Sequence, residues 1–266
     1  MDPDFNIDSL LERARYRGPT VTADQLVGVD ACLRQLGGQI ALFARPDLAD
    51  RFGITPSGSL FIGPPGTGKT HLVRYLARSV LDVPLYHLGA DEFQDDPQLV
   101  HAIFERLAPE RAILFIDEIG MIAVARKYAD RDERRMLTAL LTALDGLSSS
   151  TTRQRLWVIA ATTPDTTLDA AITRSGRLGV QIEFALPSEE QRANLFRLYL
   201  RDLPHCVTDG EIDRLVAISS QASGADIRDW ISQAAAEVLA DAVPNDARDN
   251  PVIEPRHLEA VATRRG

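Results

Sequence analysis

Three short stretches of this chain hold side chains whose types and spacing could do chemistry. The first is Gly63–Thr70, reading GPPGTGKT, directly after the apolar run Ser59–Ile62. Two glycines separated by four residues and followed by Lys-Thr fit the phosphate-binding pattern called Walker A. Gly63, Gly66 and Gly68 let the backbone turn where a Cβ would be resisted, so successive N–H groups can point at phosphate oxygens. Lys69 would bring a positive charge to the β- and γ-phosphates, and the Thr70 hydroxyl is a ligand for Mg²⁺. The helix expected over 69–80 adds its positive N-terminal end to the same anion site. With a strand before it and a helix after it, the stretch predicts binding of a nucleoside triphosphate, not a plain Gly/Pro turn.

The second stretch is Asp117-Glu118, at the end of the apolar run Ile113–Ile116. A buried strand delivering two carboxylates to its exposed end is the arrangement called Walker B. Asp117 would hold Mg²⁺ directly or through water, and Glu118 would orient and polarise the attacking water. Hydrolysis, and not binding alone, is therefore the expected chemistry. The third stretch is Val158–Phe184, VIAATTPDTTLDAAITRSGRLGVQIEF. Its strand ends in Thr162-Thr163, a helix bearing Leu168 and Ile172 is expected next, and Arg174 and Arg177 follow around Gly176. Two arginines in a loop are ordinarily solvated surface. Beside a nucleotide site they suit neutralisation of a transferring phosphoryl group, an effect worth roughly 10³–10⁵ in rate.

The elements that must position these groups are legible as apolar runs. Strands are expected at Ser59–Ile62, Pro84–Leu88, Ala112–Ile116, Leu156–Ala161 and Val180–Phe184. Helices are expected at Cys32–Phe43, with Leu33, Leu36, Ile40 and Phe43 on one face, at Pro97–Leu107 and at Arg131–Leu144. Strands alternating with helices predict an α/β fold, an open parallel sheet of five strands with flanking helices. Its ligand belongs beyond the carboxyl ends of the strands. From Pro187 the pattern is helical, over Ser188–Leu200, Asp209–Ser219, Ala225–Ala242 and Pro255–Thr263, with a polar loop at Asn245–Pro251. This divides the chain into a short arm (1–20), a large nucleotide-binding part (21–186) and a small helical lid (187–266). Ile7, Leu10 and Leu11 could form a short amphipathic turn, though a frayed terminus is the expectation for the arm.

Composition narrows the function. A net charge of −9 over 266 residues argues against a broad nucleic-acid footprint. Cys32 and Cys206 have no metal-ligand or disulfide spacing and are expected to be buried or half-buried small hydrophobes. No basic region followed by an apolar core opens the chain, and no run is long enough for a membrane span, so a cytoplasmic protein is expected. His87, the one histidine near the predicted site, is expected to be structural, with a possible link from its strand to Glu118.

With these motifs in order, the chain resembles the AAA ATPases, in the subgroup of katanin, spastin, the proteasomal ATPases and valosin-containing protein. The resemblance rests on GPPGTGKT, ILFIDEIG (Ile113–Gly120), LDGL (Leu144–Leu147), Val158–Glu183, SGADI (Ser223–Ile227) and VGVD (Val27–Asp30), and spans about residues 20–264. It implies a P-loop fold, Mg²⁺ and ATP as cofactors, and a homo-oligomer, usually a hexameric ring. Nucleotide contacts are then expected from Val27, Gly28, Pro65, Gly66, Thr67, Gly68, Lys69, Thr70, His71, Gly224 and Ala225, the last two backing the ribose and adenine. Arg174 and Arg177 would reach the nucleotide of a neighbouring subunit.

Departures from the family pattern matter as much. Thr163 stands at a sensor position where the family has Asn, and Val180 replaces a third arginine. The region where threading relatives carry an aromatic pore loop reads GADEFQDDPQLV (Gly89–Val100), which is shorter and acidic. Its single aromatic, Phe93, reads as a core contact. No N-terminal recruiting domain is expected, leaving the arm, an insertion, the lid or an adaptor to meet a protein partner. The readings carried forward are an oligomeric ATPase that remodels a protein partner and, alternatively, an ATP-gated assembly factor with slow hydrolysis. A DNA-associated loader is a third reading, disfavoured by the acidic charge.

Overall fold

The five apolar runs form five parallel strands: β1 Ser59–Ile62, β2 Leu85–Gly89, β3 Ala112–Asp117, β4 Leu156–Thr162 and β5 Val180–Glu183. Their order is β2-β3-β4-β1-β5. This computed structural model describes residues 6–54, 57–93, 96–149, 156–242 and 251–265, so residues 245–250 of the expected polar loop lie outside the described residues. Ile62 pairs with Thr162 and Ile116 with Ala160. Because every pairing is parallel, the carboxyl ends of β3, β4 and β1 open side by side on one edge of the sheet, where such folds hold ligands.

Burial explains why these runs are strands. β3 and β4 are buried at nearly every position, as expected for a sheet covered on both faces. Strand alternation sends Leu114, Ile116, Val158 and Ala160 into one core with α5 (Pro97–Leu107) and α6 (Arg131–Ser149). Toward the other face, the Phe43 ring of α2 (Asp30–Ala44) lies 5.8 Å from Trp157. α5 starts where its sequence says it should. The Asp96 carboxylate accepts the Gln98 N–H at 2.8 Å, and Pro97 fills the first helical position.

The N-terminal arm corrects the expectation of a frayed end. Residues Ile7–Ala14 form α1, capped by the Asn6 carboxamide oxygen, which accepts from the Asp8 and Ser9 N–H groups at 2.9 and 3.3 Å. Leu10, Leu11 and Ala14 are buried in the sheet core. The Tyr16 N–H then donates to Leu85 O at 2.8 Å, and Arg15 bridges Tyr86. The arm thereby covers the open edge of β2, whose backbone groups would otherwise be unpaired. Helical spacing of the apolar residues supplies enough burial to outweigh fraying.

The chain packs as two compact units. The first comprises Met1–Ala23, Val29–Gly63 and Lys69–Phe184 and contains the sheet; the second comprises Asp24–Gly28, Pro64–Gly68 and Ala185–Gly266. In the second, α7 (Glu189–Leu200), α8 (Asp209–Ile218), α9 (Gly224–Ala242) and α10 (Pro255–Arg265) bury Phe196, Leu215, Ile227 and Leu258 in a separate core. α7 opens on a reciprocal capping box between Ser188 and Gln191. The buried Arg192 guanidinium is satisfied by Pro187 O at 2.9 Å, with Ser219 Oγ and Val216 O both at 3.2 Å. Cys32 is buried as expected, but Cys206 is exposed, because it sits in the extended connection between α7 and α8 where its backbone, not its thiol, is engaged. Among the described residues no helix is long and apolar enough to cross a membrane.

Candidate active site

In the first unit, three strand ends bring the predicted groups together. The helix after the loop, α4 (Lys69–Tyr75), is shorter than 69–80 and passes into a π-turn over Leu76–Val80. Its first two residues face the end of β3: the Thr70 hydroxyl donates to Asp117 Oδ2 at 3.4 Å, a long bond. Asp117 Oδ1 accepts the Glu118 N–H at 3.1 Å. The Lys69 ammonium donates to Gly63 O at 2.6 Å. Partial burial pulls Lys69 below its ordinary range, opposed by the Asp117 charge.

His87, expected to be structural, faces Asp117. Its Nε2 lies 3.6 Å from Asp117 Oδ2, longer than a good hydrogen bond but close enough for electrostatic contact. Parallel register is the reason: Gly89 is opposite Asp117, and His87 is opposite Phe115 with the rings 5.0 Å apart. His87 is the main influence holding the Asp117 carboxyl below its ordinary range, against burial, with the Glu118 N–H and Lys69 contributing. Asp117 is thus a carboxylate surrounded by donors. Glu118 is exposed, and its backbone lies in the left-handed region at φ 54°, a conformation that costs a non-glycine residue free energy and recurs at functional sites.

The segment after β4 corrects a second expectation. Residues 163–179 contain no helix; Leu168 forms an isolated antiparallel bridge with Val124, and Ile172 lies in a turn. Pro164 cannot donate to a helix, and short polar side chains capture the backbone instead. Asp169 accepts the Ala171 N–H at 3.0 Å and the Arg126 N–H at 3.2 Å. Backbone bonds Ala125 N–H to Thr167 O and Asp169 N–H to Ala123 O, both 3.0 Å, tie this segment to the chain following Glu118. Thr163 is half-buried, and its hydroxyl lies 2.9 Å from the Thr166 hydroxyl.

The two arginines differ. Arg174 is exposed; its carbonyl accepts the Arg177 N–H at 3.1 Å, and among the described residues its side chain makes no hydrogen bond or ion pair. Arg177 grips Asp145 of α6 with two parallel bonds, Nε to Oδ1 at 2.6 Å and Nη2 to Oδ2 at 2.7 Å, and gives a third to Ala171 O at 2.7 Å. LDGL shows Asp145 in the sequence as a carboxylate among apolar neighbours but gives no sign of Arg177 as its partner. The loop after β2 is likewise tied down. Glu92 accepts the Gly89 N–H at 2.8 Å, and Phe93 is fully buried.

In the second unit, Gly66 (φ 75°) is the point where backbone approaches α9. A Cβ there would overlap Ser223 Oγ and come within 2.8 Å of the Ala225 Cβ. The Ala225 N–H donates to Gly66 O at 3.2 Å. SGADI owes its form to reciprocal capping: Ser223 N–H and Oγ both reach Asp226 Oδ2, at 2.8 and 2.7 Å, so Gly224 and Ala225 form the first turn of α9. Thr67 donates to Pro64 O at 2.8 Å, Pro65 is exposed, and Gly28 has φ 77° beside the half-buried Val27. His71 lies in the first turns of α4 and is half-buried.

A parallel sheet with a glycine-rich loop leaving its β1 and a paired carboxylate leaving β3 defines a P-loop nucleoside triphosphatase. Comparison with known proteins refines the class. Residues 59–186 match the family described as "ATPase family associated with various cellular activities (AAA)". The chain is 36% identical over 223 residues to the proteasome-activating nucleotidase of Methanopyrus kandleri, covering 79% of this chain and 50% of that protein. It is 31% identical over 265 residues to the ATP-dependent zinc metalloprotease FtsH of Marinobacter nauticus, covering 96% of this chain and 40% of that protein. Among solved structures, the FIGL-1 AAA domain in complex with ADP superposes with a TM-score of 0.81 at 27% identity, covering 99% of this chain and 91% of that one. The chain belongs to the AAA ATPases, ATP-hydrolysing modules with this sheet at their centre. It spans about half the length or less of the curated relatives just named.

Proposed function

We propose that the chain is a Mg²⁺-dependent AAA ATPase working between copies of itself, in a hexameric ring, to remodel a protein partner. The observation that carries this reading is the convergence of Lys69 and Thr70, which follow β1, with Asp117 at the end of β3, Thr70 Oγ1 lying 3.4 Å from Asp117 Oδ2. Hard oxygen donors of this kind suit Mg²⁺, which keeps several waters and takes one carboxylate plus phosphate oxygens. Thr70 and Asp117 would hold Mg²⁺, which would supply charge neutralisation at the phosphates. Lys69 exchanges its bond to Gly63 O for the phosphates, and Glu118 takes a proton from the attacking water. Thr163 holds that water or the γ-phosphate through its hydroxyl. Gly66, Thr67 and Gly68 offer backbone N–H groups to the phosphates, with Pro65 shaping the loop and His71 beside it. Val27, Gly28, Gly224 and Ala225, all within the second unit, serve the nucleoside. Arg174, exposed and unengaged, is the group free to reach a neighbour's nucleotide, with Arg177 beside it.

Relatives named for proteasome activation and as an ATP-dependent metalloprotease support protein partners as the substrate class. Two observations favour the slower, ATP-gated alternative: Arg177 is bound to Asp145 of its own chain, and the loop after β2 is closed upon itself with Phe93 buried. The test is ATP turnover per chain against protein concentration, with Lys69→Ala as the blank. A steep rise with concentration supports catalysis between chains. Turnover no better than the blank at every concentration contradicts the enzymatic reading.

A further inference from the structure

Thr163 has one hydroxyl proton, and among the described residues its hydroxyl makes one hydrogen bond, to Thr166. In such a pair a single proton lies between the two oxygens. If Thr166 donates, the Thr163 proton is free to point outward as a donor. If Thr163 donates, its lone pairs face outward as acceptors. Thr166 therefore sets which face Thr163 presents. Its own rotamer is fixed twice over. The Thr166 N–H donates to Thr163 O at 3.3 Å, and its γ-methyl fills the space over Gly120, where any Cβ would overlap it. A β-branched side chain held at both backbone and methyl has little freedom at χ1. Gly120 follows Glu118 by two residues, so Thr166 is wedged between the Thr163 hydroxyl and the turn that carries the proposed base.

We infer that Thr166 is a positioning residue for ATP hydrolysis: it orients the Thr163 hydroxyl and switches it between donor and acceptor, so that two hydroxyls together supply both functions. This rests on the proposed role of Thr163 and deepens it. Thr166 need not touch the nucleotide to act this way.

The test is steady-state ATPase kinetics with nucleotide affinity measured in parallel on the full chain. Thr166→Val keeps the methyl over Gly120 and removes the hydroxyl; kcat is expected to fall about 3–10-fold, the scale of one neutral hydrogen bond, with KM and ATP affinity unchanged. Thr166→Ser keeps the hydroxyl and should retain most of the rate. Adding Thr163→Asn to Thr166→Val should recover rate, because a carboxamide carries its own donor and acceptor. Unchanged kcat in Thr166→Val, or an equal loss in Thr166→Ser, would overturn the inference. Thr163→Val separates the two levels: if it lowers kcat while Thr166→Val does not, the pairing alone fails. If Thr163→Val turns over normally, the role of Thr163 fails and the pairing with it.

Discussion

The carboxylate corner at the end of β3 and the arginine segment at 163–179 both carry charges needed for the proposed chemistry, but they are held by different means. At the corner, buried strands do the positioning. Ile113–Ile116 are fully buried, and Asp117 and Glu118 emerge where the burial stops. In the arginine segment no regular element exists, and polar side chains are the ties: Asp169 on Ala171 and Arg126, Thr163 on Thr166, Arg177 on Asp145. A charge displayed by a hydrophobic strand can be removed without disturbing what displays it. A charge within a polar tie is part of the scaffold, so removing it alters chemistry and structure together.

That contrast is broken or sharpened by substitution. The largest effect is expected for Lys69→Ala, which removes a charged donor from the phosphate site and with it nucleotide binding and all turnover. Loss of one such bond is worth about 1.5–3 kcal/mol, so ATP affinity should fall at least tenfold in an equilibrium titration while the thermal midpoint stays near wild type. Tight binding by this variant would contradict the loop's assignment. Arg174→Ala comes next. Turnover should drop by as much as about 10³-fold with ATP affinity and melting unchanged, since the Arg174 side chain is exposed and makes no described hydrogen bond or ion pair. Mixing Arg174→Ala with Glu118→Gln chains should recover activity if one copy's Arg174 serves another's nucleotide, and no recovery would count against action between chains.

Arg177→Ala sharpens the contrast, because this arginine is also a tie. Its turnover should fall like that of Arg174→Ala, but the thermal midpoint should fall too, by about 2–4 °C if the bidentate pair is worth about 1 kcal/mol. Equal melting of the two arginine variants would erase the distinction. The smallest effect concerns acid. The Arg177 guanidinium holds the Asp145 carboxyl below its ordinary range. A depressed carboxyl contributes stability that is present above its unfolded value and is lost as pH falls through its folded value. The stability gap between wild type and Asp145→Asn should therefore be present near neutrality and shrink on acidification; a gap independent of pH would mean the pair contributes nothing electrostatic.

The same contrast explains what was legible in the sequence. The five strands, Lys69, Thr70 and Asp117 could be read locally, since glycine spacing and continuous apolar runs are one-dimensional patterns. Leu168 and Ile172, four apart, match helical spacing, but the competing Thr and Asp bonds that prevent the expected helix at 163–179 leave no periodic trace. Asp145 and Arg177 are 32 residues apart, and only packing joins them. The contact His87 makes with Asp117 depends on the β2–β3 register, which pairing alone sets. The N-terminal arm was read as frayed because its value lies in covering β2, an edge that does not exist until the sheet forms.

The most direct test of the corner as the hydrolytic site is Glu118→Gln, with ATP binding and single-turnover hydrolysis measured on the same preparation. The side chain is exposed and keeps its size, so folding and ATP affinity should match wild type. Turnover should fall by about 10²–10⁴-fold, the scale of a lost general base. Hydrolysis within a few-fold of wild type at full ATP occupancy would contradict the account at its centre.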